Sequence, residues 1–389
     1  MIKSYFQGKK IVVGVTAGAA IYKSLDLIRS LKKQGADVYP VMTRNAATLI
    51  SPQLFSAISG NPALVEMFSV ESEMGHINLQ DMDAICVVPA TANLIGKVAN
   101  GLADDLLTTT ILASSAPILI APAMNDIMWG KSVVQQNVRK LRDMDVTICG
   151  PDVGEMACGS YGEGRMADAL EILAYLERLF VPKTLKHKKV LVTAGPTREF
   201  IDDVRYITNR SSGHMGYSIA KEAWLRGAEV TLISGPVGLT DPYDMNIVKV
   251  QTADQMFAAV RSTFHECDYF FSVAAVSDFK PEKSKGKISK ADGPLQVTLV
   301  QNPDVLEWCA GNKSVGQTVI GFALEDGYLM ERTHQKLIRK KCDFMIGNGL
   351  GNMETEGGYA VFMYQSGVYK DLTGSKSELA KQIFDLIVH

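Results

Sequence analysis

Little in this chain points to export, a metal framework or nucleic acid. The six cysteines, Cys86, Cys149, Cys158, Cys267, Cys309 and Cys342, include no CxxC and no paired spacing. That argues against a disulfide framework or a zinc site and for a reducing, cytoplasmic setting. The N-terminal MIKSYFQGKK lacks the apolar centre of a signal peptide, and the most apolar later run, Ala116 to Met124, is short and interrupted by two prolines, so no membrane span is expected. Charge of one sign is missing too. A formal net charge of -2 over 389 residues, with a pI near 6.3, leaves no electrostatic footprint for nucleic acid or an anionic membrane surface. Nor is there a GxGxxG, the dinucleotide fingerprint.

What is present is a doubled beginning. KKIVVGVTAG at 9–18 is echoed by KKVLVTAG at 188–195, and GADV at 35–38 by GAEV at 227–230. With 47% hydrophobic and 21% charged residues, the chain is long enough for two separate cores. Ile11 to Val15 is a β-branched run of buried-strand type, followed by Ala17, Gly18, Ala19 and Ala20 and then by Ile21, Leu25, Ile28 and Leu31 at helical spacing up to Gly35; the pattern is strand, tight turn, helix, strand. Apolar runs at Ala84–Val88, Ile118–Ala121 and Val146–Cys149 continue it, and the second half repeats it from Val190 through Val230, Tyr269, Thr318 and Phe344. The expected fold is α/β, with two Rossmann-like domains, each a mainly parallel sheet with helices on both faces. The polar, basic stretch AYLERLFVPKTLKHKK (174–189) separates domains expected at 1–181 and 187–389. KPEKSKGKISKADG (280–293), almost without apolar residues, reads as a mobile loop or a plain solvated excursion.

Small residues at both strand-to-helix turns let backbone N–H groups meet a phosphate, although sheet packing alone also asks for a glycine there. The second copy carries an insertion, PTREFIDDVRYITNRSSGHMG (196–216). Its Ser211, Ser212, Gly213 and Gly216 form a candidate anion nest beside Asn209 and Arg210, while either serine could be only an N-cap. The run VTAGPTREFIDDVRYITNRSSGHMG closely resembles the phosphopantothenoylcysteine synthetase domain of the bifunctional bacterial coenzyme A enzymes, and the first half resembles their flavin-dependent phosphopantothenoylcysteine decarboxylase. The resemblance covers essentially the whole chain.

In the first half it rests on GHINL (75–79), PAMNDIMW (122–129) and ACGSYGEGRM (157–166). Read alone, His76 fits a structural histidine as well, Asn125 a turn former at the carboxyl edge of a sheet, and Cys158 an incidental cysteine on a glycine-rich flap. The resemblance implies more: His76 as catalytic base or orienting group, Asn125 holding the substrate carboxylate, and Cys158 donating a proton. It also implies FMN near Gly18, Thr43 and the PATAN segment from Pro89 to Asn93. The substrate nitrogen is acylated, so an imine sink does not form; the family uses FMN to oxidise the thiol-bearing carbon to a thioaldehyde, which accepts the electrons released with carbon dioxide.

In the second half, Lys336 and Lys340 are four apart and share a helix face, as they would in a solvated basic stripe. The resemblance implies a CTP site at Ala274, Ala275, Asp278, Lys287, Asn302, Pro303, Asp304, Val305, Phe322, Lys336 and Lys340, with Ser212 and Gly213 nearby, Asp278 meeting Mg2+ and Lys287 on a lid. Asn209 handles an acyl cytidylate of 4'-phosphopantothenate, which cysteine then attacks. Three departures from the family pattern, Asp203, His214 and Ser289, each remove a positive charge or add a negative one, so a weaker phosphate grip is expected. A homo-oligomer is implied as well. Two rivals stay open: a two-domain nicotinamide-dependent dehydrogenase, and a regulatory flavoprotein-like binding subunit.

Overall fold

The computed structural model describes residues 4–67, 79, 81–157, 159–289, 293–352 and 357–388. The chain divides into two compact units at Val181/Pro182.

The first unit has a five-stranded sheet of β1 (Lys10–Val15), β2 (Asp37–Met42), β3 (Ala84–Ala90), β4 (Ile118–Pro122) and β5 (Thr147–Ile148). The strand order is β2-β1-β3-β4-β5, with every pairing parallel. Five consecutive buried residues in β1 match a strand covered on both faces. Ile11, Val13 and Val15 meet α1 (Lys23–Lys33) and α8 (Ala169–Phe180) on one side. Val12 meets α4 (Ala92–Ala99), α5 (Leu106–Ala113) and α7 (Ser132–Asp143) on the other. Each fully buried Leu or Ile in these layers contributes roughly 1.5–3 kcal/mol. Shorter helices α2 (Arg44–Leu49) and α3 (Pro52–Ser59) follow β2, and α6 (Asp126–Trp129) follows β4.

The second unit has eight strands: β6 (Lys189–Ala194), β7 (Glu229–Ser234), β8 (Asn246–Lys249), β9 (Tyr269–Ser272), β10 (Thr318–Glu325), β11 (Phe344–Gly349), β12 (Gly357–Tyr364) and β13 (Tyr369–Ser375). They lie in the order β8-β7-β6-β9-β10-β11-β12-β13. The first six are parallel, and β12 and β13 close the sheet antiparallel, a hairpin the repeat in the sequence does not announce. Leu191, Phe270, Val319, Met345 and Met363 form one core with α10 (Ala253–Thr263), α11 (Val305–Gly311) and Leu337 of α12 (Leu329–Lys340). On the opposite face, α9 (His214–Leu225) packs with α13 (Lys376–Ile387), and Phe384 of α13 meets Phe271 of β9 at 5.0 Å between ring centroids.

The described cysteines Cys86, Cys149, Cys267, Cys309 and Cys342 are free and buried. Burial pushes the Cys267 and Cys342 thiols up to about 12, so they are inert core residues at neutral pH. Among the described residues no helix is long and apolar enough to cross a membrane.

Candidate functional site

In the first unit the candidate FMN residues sit at the carboxyl edge where the strand order reverses between β1 and β3, the location at which open α/β sheets take ligands. Thr16 fixes the two loops together: its hydroxyl donates to the Pro89 carbonyl at 2.8 Å and accepts from the Thr91 N–H at 3.2 Å. Gly18 is extended (φ -161), and a Cβ there would stand 3.8 Å from the Pro89 ring. That is ordinary van der Waals contact, so the turn has room for a small side chain and its glycine is not forced by packing. Pro89 itself is buried. Thr43 caps α2, accepting from the Ala46 N–H at 3.3 Å, and Asn93 is exposed on the first turn of α4.

Asn125 has the structural role of a turn former. Its Oδ1 caps α6 by accepting from the Ile127 N–H at 3.0 Å, while its Nδ2 donates to the Ser160 hydroxyl at 3.4 Å. Ser160 in turn donates to Asp126 at 3.0 Å. Ser160 belongs to the turn of an antiparallel hairpin, Asp152–Glu155 with Tyr161–Arg165. The hairpin lies hard against the Asn125 segment: Met124 donates from its N–H to the Gly164 carbonyl at 3.1 Å, and a Cβ at Gly164 would come within 2.4 Å of the Met124 carbonyl oxygen. His76 and Cys158 lie outside the described residues.

In the second unit a cavity of about 790 Å³ opens at the carboxyl ends of β6, β9, β10 and β11. It brings together Asn209, Ser212, Gly213, Ala274, Ala275, Asp278, Asn302, Pro303, Asp304, Val305, Phe322, Lys336 and Lys340 from separate stretches of the chain. Lys287 is exposed and does not line it. The walls are tied across the strands. Buried Thr193 accepts from the Val273 and Ala274 N–H groups at 3.2 and 3.3 Å, and Asn209 donates to the Ala275 and Val276 carbonyls at 3.3 and 3.1 Å. Gly213, at φ +80, is the N-cap of α9 with no side-chain cap, so neither Ser211 nor Ser212 fills that role. This left-handed backbone favours glycine. Arg339, His214 and Lys376 also line the cavity; Arg339 could have been found from its place beside Lys340, whereas Lys376 is far off in sequence and carried no signal.

The Lys340 ammonium bonds to Asp304 and, at 2.7 Å, to Glu307. Burial alone would lower the ammonium's pKa, but these two carboxylates more than offset it and hold it above the ordinary lysine value. Burial likewise would raise Asp304, yet Lys340 and the Glu307 N–H (2.8 Å) hold its carboxyl below the usual range. Asp278 is an exposed carboxylate on the cavity wall. Among the described residues no three His, Cys, Asp or Glu side chains cluster to hold a metal, so a Mg2+ at Asp278 would draw its remaining oxygen ligands from phosphates and water, its usual habit.

Residues 280–289 of the segment expected to be mobile make contacts with other parts of the second unit, and 290–292 lie outside the described residues. Phe279–Pro281 pairs with Leu299–Gln301. Beyond it, the Ser284 N–H donates to the Ile201 carbonyl at 2.9 Å, Gly286 to the Asp203 carboxylate at 3.0 Å and Ile288 to the Asp202 carboxylate at 3.2 Å. Arg205 donates to the Ile288 carbonyl at 3.1 Å, and Lys283 pairs with Asp203 at 2.8 Å. Asp203 is thus engaged by the loop and is not on the cavity wall. Its carboxylate is taken up by Lys283 and Gly286.

The DNA/pantothenate metabolism flavoprotein C-terminal domain family matches residues 185–389, and the Flavoprotein family matches residues 3–180. The coenzyme A biosynthesis bifunctional protein CoaBC of Vibrio vulnificus (strain CMCP6) is 41% identical over 98% of this chain and 99% of its own. The chain belongs to the CoaBC family. The CoaBC of Escherichia coli (strain K12) is 43% identical over 88% of this chain and 86% of its own. A solved C-terminal domain of a CoaBC protein is 33% identical, with a TM-score of 0.46, over 53% of this chain and 96% of that chain. The Flavoprotein match thus falls on the first unit and the C-terminal-domain match on the second.

Proposed function

We propose that this chain carries out two consecutive steps of coenzyme A biosynthesis in the cytoplasm as a homo-oligomer. The second unit ligates 4'-phosphopantothenate to cysteine with CTP and Mg2+ through an acyl cytidylate. The first unit then decarboxylates the adduct to 4'-phosphopantetheine with FMN. The observation that carries the ligase reading is the single cavity in which Asn209, Asp278, Asn302, Lys336 and Lys340 converge from separate elements. Activating a carboxylate with a nucleoside triphosphate asks for this: positioned cations, a carboxylate for the metal, and little covalent chemistry by the protein.

Within the cavity, Lys336 and Lys340 face the triphosphate and Asp278 the metal. Asn302 places a buried Oδ1 without a protein partner on the wall while its Nδ2 is held by the Ser277 carbonyl at 2.9 Å; that oxygen accepts from a donor on the nucleotide. Asn209, fixed to the Ala275–Val276 backbone, meets the acyl cytidylate, and Lys287 reaches the phosphates when its loop leaves the Asp202–Asp203 turn.

In the first unit the loops that carry Gly18 and Pro89 at the carboxyl edge of the sheet hold FMN, with Thr43 and Asn93 beside it. Bound FMN supplies the two-electron oxidation and return that decarboxylation of an N-acylated cysteine requires. Asn125 orients the substrate carboxylate, with Cys158 as proton donor and His76 as base.

Purified protein incubated with 4'-phosphopantothenate, cysteine, Mg2+ and CTP should release pyrophosphate in a cysteine-dependent manner and show a flavin absorbance band. A protein that carries nicotinamide and no flavin would favour the dehydrogenase reading. Intact flavoprotein without turnover would favour a binding subunit.

A further inference from the structure

Both copies of the doubled beginning contain VTAG, at 15–18 and at 192–195, and in both the threonine is buried at the carboxyl end of the first strand. β1 lies between β2 and β3, and β6 between β7 and β9. The β1–β3 ladder ends at Gly14 and Val87, and the β6–β9 ladder at Thr193 and Ser272. Where a ladder ends, backbone groups lose their strand partners and need a side chain or water instead. Thr16 reaches across to the end of β3: its hydroxyl donates to the Pro89 carbonyl at 2.8 Å and accepts from the Thr91 N–H at 3.2 Å. Ser24, also buried, donates to the Val88 carbonyl at 2.6 Å. Thr193 reaches across to the end of β9, accepting from the Val273 and Ala274 N–H groups at 3.2 and 3.3 Å while it faces the Phe271 carbonyl at 3.5 Å. These strand ends lead into the candidate ligand residues, Pro89 and Asn93 in the first unit and Ala274, Ala275 and Asp278 in the second.

We infer that Thr16 and Thr193 are matched positioning residues: each hydroxyl sets the distance between the two strand ends that hold its unit's ligand, the flavin in the first unit and CTP in the second. The inference rests on the functional reading above. Packing alone does not call for threonine here, because valine has nearly the same shape; what the position gains is the hydroxyl. A β-branched side chain is also stiff about χ1, which makes it a rigid strut rather than a tether. Without the hydroxyl the freed N–H groups must find water, the strand ends separate, and the ligand must reorder them, which weakens its binding. Thr193 is not on the cavity wall, so it acts through the residues it holds.

The test uses the full chain and two near-isosteric variants, T16V and T193V. Dilution of the holoprotein, with released flavin read by fluorescence, should give T16V an FMN Kd about tenfold above wild type, while the CTP KM for pyrophosphate release stays put. T193V should raise that KM by about tenfold and leave the FMN Kd where it was. T16S and T193S keep the hydroxyl and should recover most of each loss. A variant that is merely less stable has fewer working sites, which lowers kcat or the flavin stoichiometry and moves neither KM nor Kd. T16A and T193A repeat the measurement where a valine variant fails to fold. An unchanged FMN Kd on loss of the Thr16 hydroxyl, or an unchanged CTP KM on loss of the Thr193 hydroxyl, overturns the inference while leaving the functional reading intact. Wild-type protein that holds no flavin and releases no pyrophosphate overturns the functional reading, and this inference with it.

Discussion

Lys340 is committed to Asp304 and Glu307 before any nucleotide arrives, and this decides how the site should respond to pH. Asp304 is held below the usual carboxylate range, so what it contributes is fully present above its unfolded value, about 3.9, and is lost only as pH falls through the lower folded value. Lys340 is held above the ordinary lysine value, so its contribution is complete below about 10.4 and lost only as pH rises past the folded value. Calorimetric titration of CTP between about pH 5 and pH 9 should therefore show no inflection from this pair; a midpoint there that disappears in D304N would contradict the arrangement. If CTP occupies the cavity as proposed, the K340M variant should raise the CTP KM by roughly tenfold or more, because it removes a cation from the wall and leaves Asp304 and Glu307 without it. An unaltered KM would remove Lys340 from the site.

Two elements rest on one residue each. The hairpin next to Asn125 depends on Gly164, where a Cβ would press to 2.4 Å on the Met124 carbonyl. G164A should displace the hairpin, cost about 1–3 kcal/mol, and abolish decarboxylation with pyrophosphate release intact; equal decarboxylation would show that the hairpin's seat is not needed. The lysine-bearing loop depends on Asp202. Burial would raise this carboxyl, but three backbone N–H groups, those of Val204, Arg205 and Ile288, together with Arg205 hold it below the usual range. Docking of the loop is therefore present above the unfolded carboxylate value and lost as pH falls through the folded one. Hydrogen exchange at the Ile288 amide should be protected at neutral pH and exposed in D202N, and equal exchange in both would contradict the clamp. The sequence misleads about this loop because its composition is that of a solvated segment; the partners that pin it, Asp202, Asp203 and Arg205, lie some 80 positions earlier and form no local pattern.

At the scale of the molecule, the doubled opening in the sequence becomes two parallel sheets whose first strands, β1 and β6, each run into a turn at the carboxyl edge. That much was legible because buried parallel strands are continuous β-branched runs, and a run such as Ile11–Val15 suits few structures besides a strand covered on both faces. The antiparallel hairpin of β12 and β13 was not legible, since its exposed edge alternates polar and apolar residues and interrupts the repeat. The candidate site followed the same division. Residues on local motifs, such as Asn302 to Val305, were visible, whereas Lys376 enters the cavity only through the way α13 folds back over the sheet. The two units should also fail separately. C158S should leave pyrophosphate release at the wild-type rate while 4'-phosphopantetheine is lost and the decarboxylated enethiol, which lacks its proton donor, forms in its place, and K340M should slow both steps together; a C158S protein that still forms 4'-phosphopantetheine would take Cys158 out of the chemistry.

The most direct test is mass spectrometry of the products formed by the intact protein from 4'-phosphopantothenate, cysteine and Mg2+, with CTP in one tube and ATP in another. The account predicts 4'-phosphopantetheine, carbon dioxide and CMP in the CTP tube, with little product from ATP. Neither the cysteine adduct nor its decarboxylated product in either tube would contradict it.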